Sequence, residues 1–286
     1  MHRLVPLGLL AAGCGGIRED PIGFDALLVS IDGASWALLD EEWAHLETLP
    51  GIAPAPIPIH LLGYADTPAA HARMLTGYGP EVTGVLDRWH DPPIPAGLTL
   101  HERLRARWGE SLHLSFVSNK PKNLAIDPGL SFQHAGDASD WTYAGYDPTA
   151  GVGARMRDAL DDGWDRPLFA LFHFAEVDEA GHRSGERSWD QRQALRAIDA
   201  ELGLVLERLR EREREARIYV TADHGFTPGT NYHEEKAHHV WLVCDDPALD
   251  ASEGEIDEIA WTFLDLYDAE DEALPPPEGL GSLRGR

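Results

Sequence analysis

The chain has 286 residues, which is enough for one large domain or two small ones, and 43% of the residues are hydrophobic and 26% are charged. These fractions are typical of a globular protein and exclude a disordered or membrane-spanning chain. The formal net charge of −25 excludes the basic surface that binding of nucleic acid requires.

The N-terminal segment MHRLVPLGLLAAGC has the pattern of a secretory leader: a basic head, an apolar run too short to span a bilayer, and small residues before Cys14. Its AAGC ending resembles a bacterial lipoprotein signal. We therefore predict a signal peptide over residues 1–13, Cys14 as lipid anchor, a linker over 14–23, and export to the periplasm or cell surface of a bacterium. A disordered, apolar N-terminus is the alternative. With Cys14 used as an anchor, Cys244 has no partner, so no disulfide is predicted.

Five apolar runs have the length of β-strands. They are ALLVSI (26–31), LHLSFV (112–117), PLFALFHF (167–174), RIYVTA (217–222) and HHVWLV (238–243). Their apolarity is continuous rather than alternating, which predicts strands buried on both faces, as in a parallel sheet.

Helical patterns lie between these runs. One apolar stripe has a spacing of three and four residues and consists of Leu195, Ile198, Leu202, Val205 and Leu209. In TPAAHARMLTG, Thr67 can cap a helix, Pro68 suits its first turn and Gly77 can end it. The alternation predicts one doubly wound α/β domain over residues 24–286, with a mostly parallel central sheet and helices on both faces. In such sheets, ligands bind beyond the carboxyl ends of the strands.

Acidic and imidazole side chains follow several predicted strands. The set consists of Asp32, Asp178, His182, Asp223, His224 and, one loop later, His233, His238 and His239. A lone Asp-Gly is a common turn pair, but carboxylates gathered at one sheet edge would repel one another unless cations neutralised them. Mixed Asp and His ligands favour zinc or manganese over calcium. Two such ions about 4 Å apart suit in-line displacement at phosphorus.

Two further residues are candidates for the chemistry itself. Thr67 begins a predicted helix, where an anion is favoured, and a metal could activate its hydroxyl as a nucleophile. A simple N-cap is the alternative role. Lys120, in SNKPKN after the second predicted strand, could contact the transferred group and offset the acidic surroundings. The alternative for Lys120 is a solvated loop lysine.

The ordered motifs LLVSIDGASW, TPAAHARMLTGYGPEVTGV, FAEVDEAGHRSG, VTADHGF and IDEIAWTFLDLYDAEDEALPPPEG resemble the alkaline phosphatase superfamily. Within it, the chain is most similar to the type I phosphodiesterases and nucleotide pyrophosphatases and their sulfatase-like relatives. The resemblance implies one metal held by Asp32, Thr67, Asp223 and His224. It implies a second metal held by Asp178, His182 and a later histidine, His233, with His238 as the alternative.

The sequence departs from the sulfatases at the nucleophile. Those enzymes use a modified cysteine with an arginine four residues later, whereas this chain has Thr67 and His71. Sulfate-ester hydrolysis by that route is therefore disfavoured.

The resulting prediction is a hydrolase with two divalent ions, Zn²⁺ or Mn²⁺, which cleaves anionic phosphodiesters or pyrophosphates from small molecules or the cell envelope through a threonyl-phosphate intermediate. Monoesters are also compatible. The alternatives are a phosphoethanolamine-type transferase of the envelope, a sulfatase-like hydrolase, and a non-catalytic lipoprotein that binds metal on the same scaffold. Membrane contact is expected only through Cys14.

Overall fold

The strands of the computed structural model, which describes residues 22–233 and 239–285, form one eight-stranded sheet. The strands are β1 (Phe24–Ile31), β2 (Ile57–His60), β3 (His113–Ser118), β4 (Trp141–Ala144), β5 (Leu168–Phe174), β6 (Glu215–Thr221), β7 (His239–Cys244) and β8 (Gly254–Glu255). Their spatial order is β4-β3-β5-β1-β6-β7-β2-β8. The predicted signal peptide (1–13), Cys14, most of the linker and His238 lie outside the described residues.

Ten α-helices are present in the described part of the chain. They are α1 (Trp36–Glu42), α2 (Thr48–Ile52), α3 (Thr67–Thr76), α4 (Pro80–Thr83), α5 (Leu100–Trp108), α6 (Gln133–Ala138), α7 (Thr149–Asp162), α8 (Glu176–Ser184), α9 (Trp189–Arg210) and α10 (Glu258–Leu266). Short 3-10 helices occupy Trp43–His45 and Gly109–Ser111. None of these helices is long and apolar enough to cross a bilayer.

The predicted α/β fold with a mostly parallel sheet is confirmed. Strand β1 pairs in parallel with β5 and β6, and β3 pairs in parallel with β4 and β5. All seven residues of β5 are buried, as continuous apolarity predicts for a central strand. The predicted apolar stripe of α9 is also buried, and this helix packs against α2, α7 and α8.

Two features of the sheet differ from the sequence-based expectation. Strand β7 runs antiparallel to both β6 and β2, although its buried apolar run resembles the parallel strands. Strand β2 lies within the Pro-rich segment GIAPAPIPIH, where Pro58 pairs opposite Trp241. Burial on both faces fixes the apolar pattern but not the direction of a strand, so the pattern alone cannot distinguish the two cases.

The N-cap of α3 is Asp66 rather than Thr67. Asp66 has extended backbone angles and its Oδ1 accepts a hydrogen bond from the Ala69 N–H at 3.2 Å, whereas Thr67 is the first helical residue. Gly77, with φ of 76°, ends the helix as predicted. The Ala69 N–H is hydrogen-bonded to Asp66, and Pro68 has no backbone N–H. The N-terminus of α3 therefore has fewer free N–H groups for binding an anion than its sequence suggested.

Candidate active site

The carboxyl ends of four neighbouring parallel strands meet at one edge of the sheet. Asp32 follows β1, Lys120 follows β3, Asp178 follows β5 and Asp223 follows β6. Three of these positions are almost fully buried: Asp32 and Asp223 are 0% exposed and Asp178 is 1% exposed. Such burial of carboxylates is costly unless positive charge or hydrogen bonds accompany it.

Asp32, Thr67, Asp223 and His224 form one group. His224 Nε2 lies 3.2 Å from Asp32 Oδ1 and 3.5 Å from Asp223 Oδ2. Thr67 Oγ1 lies 3.3 Å from both carboxylate oxygens of Asp32 and 3.3 Å from His224 Nε2. One potential ligand atom from each of Asp32, Asp223 and His224 lies within 4.8 Å of the others, which is a spacing that a single cation can bridge.

Asp178, His182 and His233 form a second group beside the first. Asp178 and His182 are four residues apart on α8, so they share a face, and His182 Nε2 lies 3.4 Å from Asp178 Oδ1. His233, in the loop before β7, places its Nε2 3.9 Å from the same oxygen. The rings of His224 and His233 are 4.2 Å apart between centroids, so the two groups are contiguous.

Backbone carbonyls set the orientation of two of these imidazoles. His182 Nδ1 donates to Asn231 O at 2.8 Å, and His224 Nδ1 donates to Gly225 O at 3.2 Å. A neutral ring bonded in this way keeps the lone pair on Nε2, which faces the carboxylates in both cases. Histidine ligands of metals are commonly oriented by such a hydrogen bond at the other nitrogen.

Lys120 is not a solvated loop lysine, because its side chain is only 15% exposed and reaches into both groups. Its Nζ lies 2.8 Å from Asp32 Oδ2, 2.7 Å from Asp178 Oδ2 and 2.9 Å from Thr67 Oγ1. Burial opposes the charge of the ammonium, but Asp32 and Asp178 raise the pKa of Lys120 above its usual value. The lysine therefore supplies one positive charge at the centre of the site.

Four further groups of the site, Asp32, Asp223, His224 and His233, have strongly displaced pKa values. Burial opposes ionisation of Asp32, yet Lys120 and two hydrogen-bonded histidines hold its pKa well below the usual range. Burial and the neighbouring Asp32 raise the pKa of Asp223 to about 7. Burial opposes protonation of His224, but Asp223 and Asp32 raise its pKa to about 9. Burial and the nearby His224 and His182 lower the pKa of His233 to about 2.

The donor set fits divalent cations. Asp178 Oδ1 and Asp223 Oδ2 are buried and have no hydrogen-bond partner in the described residues. Asp178 Oδ1 lies 3.4 Å from His182 Nε2, and Asp223 Oδ2 lies 3.5 Å from His224 Nε2. A cation could bind the oxygen and the nitrogen of each pair, and mixed oxygen and nitrogen donors suit zinc or manganese.

Thr67 lies in the wall of a cleft of about 290 Å³. The lining residues are Asp66, Thr67, Arg88, Lys120, Asn123, Asp178, Glu179, His182 and His233. Arg88 and Asn123 were not identified from the sequence, because each lies on a loop with no pattern around it. Arg88 is held in position by its backbone N–H, which donates to Asp66 Oδ2 at 2.8 Å.

Two buried histidines, His71 and His173, were given no role in the site by the sequence analysis. His71 is 0% exposed and its Nδ1 donates to Thr67 O at 2.8 Å. His173 is 0% exposed and its Nε2 donates to Asp32 Oδ2 at 3.2 Å. A signal for His173 exists in the sequence, since it is the only polar side chain in the apolar run LFALFHF.

The amino-acid sequence matches a protein-family model over most of its length. The model of type I phosphodiesterases and nucleotide pyrophosphatases matches residues 26–247, from β1 to just beyond β7. The chain belongs to this family. The family resemblance seen in the sequence is thereby confirmed.

Curated relatives of the chain are much longer proteins. Human ectonucleotide pyrophosphatase/phosphodiesterase family member 1 is 27% identical over 177 residues, which cover 56% of this chain and 18% of the human protein. The rat protein of the same name is 23% identical over 172 residues, which cover 56% of this chain and 19% of the rat protein. The matched region is thus about a fifth of the length of these relatives.

Solved structures of low sequence identity share the fold. A 2-O GAG sulfatase superposes with a TM-score of 0.64 at 12% identity, covering 91% of this chain and 73% of the sulfatase. The lipoteichoic acid synthase LtaP from Listeria monocytogenes superposes with a TM-score of 0.60 at 12% identity, covering 92% of this chain and 75% of LtaP.

Proposed function

We propose that the protein is a two-metal hydrolase of phosphodiesters or pyrophosphates that uses Thr67 as its nucleophile. The observation that carries the proposal is the environment of Thr67 Oγ1. This atom belongs to a residue that is 1% exposed, and it lies 3.3 Å from Asp32 and His224 and 2.9 Å from the Lys120 ammonium. A threonine that served only to begin a helix would need none of these contacts.

The proposed ligand sets follow the two groups described above. Asp32, Thr67, Asp223 and His224 would hold one divalent cation, and Asp178, His182 and His233 the other. Zn²⁺ is the preferred ion and Mn²⁺ the alternative. When bound, such cations lower the pKa of the threonine hydroxyl and neutralise the charge that develops on the phosphoryl oxygens.

The protein side chains then divide the reaction into two displacements. Thr67 loses its Oγ1 proton to solvent and forms a bond to phosphorus while the bond to the leaving group breaks. The leaving group is an alcohol from a phosphodiester and a phosphate or pyrophosphate from a pyrophosphate bond, and it takes up a proton from solvent as needed. The other ester substituent stays on phosphorus, so a threonyl phosphodiester remains, or a threonyl phosphate where the substrate is a monoester. Lys120 donates a hydrogen bond to Thr67 Oγ1 in the resting site and lies where it can follow the transferred group. Water then displaces Thr67 and restores the free hydroxyl.

Charge at the site explains how an acidic protein can bind an anion. The overall net charge is −25, but the cleft holds Lys120 and is also lined by Arg88. Two bound divalent ions would add four positive charges against the three buried carboxylates of Asp32, Asp178 and Asp223. The local field would therefore attract a phosphate ester although the surface as a whole repels it.

The experiment compares the parent protein with Thr67→Ala after loading with Zn²⁺ or Mn²⁺. The substrate panel contains bis(p-nitrophenyl) phosphate, a nucleotide pyrophosphate, p-nitrophenyl phosphate, a phosphonate ester and p-nitrophenyl sulfate. We expect the parent to favour the diesters and Thr67→Ala to lose at least about 10³-fold in kcat/KM. Acid quenching followed by mass spectrometry would detect, in the parent, Thr67 that carries a p-nitrophenyl phosphoryl group from the diester or a phosphoryl group from the monoester.

Thr76→Ala is the matched control, because Thr76 is a fully buried threonine on the same helix whose hydroxyl donates to Ala72 O. It should keep most of the activity. If the parent binds about two metals but hydrolyses no member of the panel, the protein is a non-catalytic metal-binding protein. If sulfate is the preferred ester, it is a sulfatase-like hydrolase. If added ethanolamine captures most of the phosphoryl group, it is a transferase.

A further inference from the structure

His173 is a buried polar residue that lies beside Asp32. It is the only polar side chain of β5, and it is 0% exposed. Its ring packs edge to face against the ring of His71 on α3, with 5.2 Å between the centroids and an interplanar angle of 68°. The strand and the helix therefore fix the orientation of this imidazole. The proposed reaction gives His173 no part.

The two carboxylate oxygens of Asp32 have different surroundings. Oδ2 accepts a hydrogen bond from His173 Nε2 at 3.2 Å and lies 2.8 Å from Lys120 Nζ. Oδ1 lies 3.2 Å from Nε2 of His224, which is another proposed metal ligand. Thr67 Oγ1 is 3.3 Å from each oxygen and does not distinguish them. Oδ2 is thus occupied by two nitrogen donors, whereas Oδ1 faces the other ligand.

We propose that His173 is a positioning residue, which holds Asp32 by Oδ2 so that Oδ1 binds the divalent cation together with His224. The inference rests on the proposed function, in which Asp32 is a metal ligand. Ligating carboxylates are themselves hydrogen-bonded to further residues. Loss of such a partner typically lowers metal affinity or activity by about 10- to 100-fold.

Lys120 also contacts Oδ2, but it is less suited to fix the carboxylate. Its ammonium is shared with Asp178 and Thr67, and its four-carbon stem is flexible. The ammonium also carries a positive charge, which opposes an incoming cation. The imidazole of His173 stands on a strand that pairs with β1 and β3, so it loses little conformational entropy in holding Asp32. We therefore expect loss of His173 to weaken metal binding even when Lys120 is present.

The test measures the affinity of each metal site for Zn²⁺ by competition with a chromophoric chelator. In His173→Phe, which keeps a ring but removes the donor, one of the two zinc ions should bind about 10- to 100-fold more weakly and the other as in the parent. His173→Gln should restore most of the affinity, because its amide nitrogen can replace Nε2 as the donor.

His101→Phe is the matched control. His101 is also 0% exposed, and its Nε2 donates to Ser115 O at 3.2 Å on a different strand, β3. Its replacement removes a buried imidazole donor that does not contact Asp32. This variant should bind both zinc ions as the parent does.

Nitrogen-15 NMR of the histidine-labelled parent adds a measurement that does not depend on the fold of His173→Phe. The signals of His173, assigned by their absence from His173→Gln, should show hydrogen on Nε2 with and without Zn²⁺. Hydrogen on Nδ1 alone, parent-like zinc affinities in His173→Phe, or weakening that His173→Gln does not relieve would each overturn the positioning role. If the parent then still binds two zinc ions and hydrolyses diesters, the proposed function stands. Hydrolysis of diesters without bound metal would overturn both.

Discussion

Lys120 donates a hydrogen bond from Nζ to Thr67 Oγ1 at 2.9 Å, while the same hydroxyl lies 3.3 Å from the carboxylate of Asp32. The threonine oxygen is therefore held between the Lys120 ammonium and the Asp32 carboxylate, and His224 Nε2 also lies 3.3 Å from it. Such fixation before reaction is what a nucleophile in an in-line displacement requires, because reorientation during the reaction would add to the barrier. The lysine also bridges the two proposed metal sites.

Replacement of Lys120 should impair turnover. Lys120→Met keeps the length of the side chain but removes the donor and the charge, so we expect kcat/KM for bis(p-nitrophenyl) phosphate to fall about 10²-fold or more in the metal-loaded enzyme. Lys122→Met, on the same loop but exposed, is the control and should stay within about twofold of the parent. Equal activity of Lys120→Met and the parent would remove Lys120 from the mechanism.

Metal binding should release protons. In the metal-free protein the pKa of Asp223 is raised to about 7 and that of His224 to about 9, and both groups must lose their proton to bind a cation. The apparent affinity for Zn²⁺ should therefore rise as the pH increases from 6 to 9. Titration calorimetry in two buffers of different ionisation enthalpy measures this release, and proton uptake would contradict it.

The same two groups predict how pH affects stability without metal. Each folded-state pKa lies above its ordinary value, so the protonated forms favour the folded state. The contribution of Asp223 is complete below about pH 4 and is lost as the pH rises through 7, and that of His224 is lost as it rises through 9. The melting temperature of chelator-treated protein should fall over this range, and saturating Zn²⁺ should abolish the fall.

Asp66 should matter for both stability and activity. It caps α3 through Oδ1 and holds the Arg88 backbone through Oδ2, so Asp66→Ala should cost about 1 kcal/mol or more in the free energy of unfolding and should also lower kcat. Thr99→Ala removes the capping box of α5, which is a similar loss away from the cleft, and should change stability alone. Urea unfolding and steady-state kinetics distinguish the two effects.

Gly33 should tolerate no side chain. It has φ of 70°, and a Cβ there would lie 2.9 Å from Asp178 Cα, so β1 and α8 would have to separate. We expect Gly33→Ala to lose bound metal, measured by mass spectrometry, as well as stability. Gly97 has φ of 87°, but a Cβ there would meet open space. Gly97→Ala should therefore lower the free energy of unfolding only by the backbone strain, about 1 kcal/mol. Full metal content in Gly33→Ala would contradict this packing argument.

Much of the fold could be predicted because central strands and packed helices leave strong periodic signals. The five strands predicted from apolar runs are present with ends shifted by at most two residues. Strand β8 was not predicted, because two residues carry no usable period. Strand β4, at the edge of the sheet, is only partly buried and therefore lacks a continuous apolar run.

Most of the site could be predicted because its residues lie shortly after predicted strands, as Asp32, Asp178 and Asp223 do. Thr67 was predicted from its place at the start of a helix, and the structure brings these residues together with Lys120, His182, His224 and His233. The N-cap role of Asp66 was assigned to its neighbour, because both residue types can cap and only the backbone angles decide between them. Ion pairs between residues that are far apart in the sequence leave no local sequence signal. An example is the pair formed by Arg73 on α3 and Asp257 before α10.

The burial of Thr67 has a kinetic consequence for the proposed reaction. The residue is 1% exposed, so phosphorus reaches its hydroxyl through the cleft, and in-line geometry directs the leaving alcohol away from the threonine toward the cleft opening. The second nucleophile must then enter along the path that the first product has just left. The two half-reactions cannot overlap, so the enzyme should show ping-pong behaviour. Any alcohol that fills this vacated space faster than water would become the acceptor.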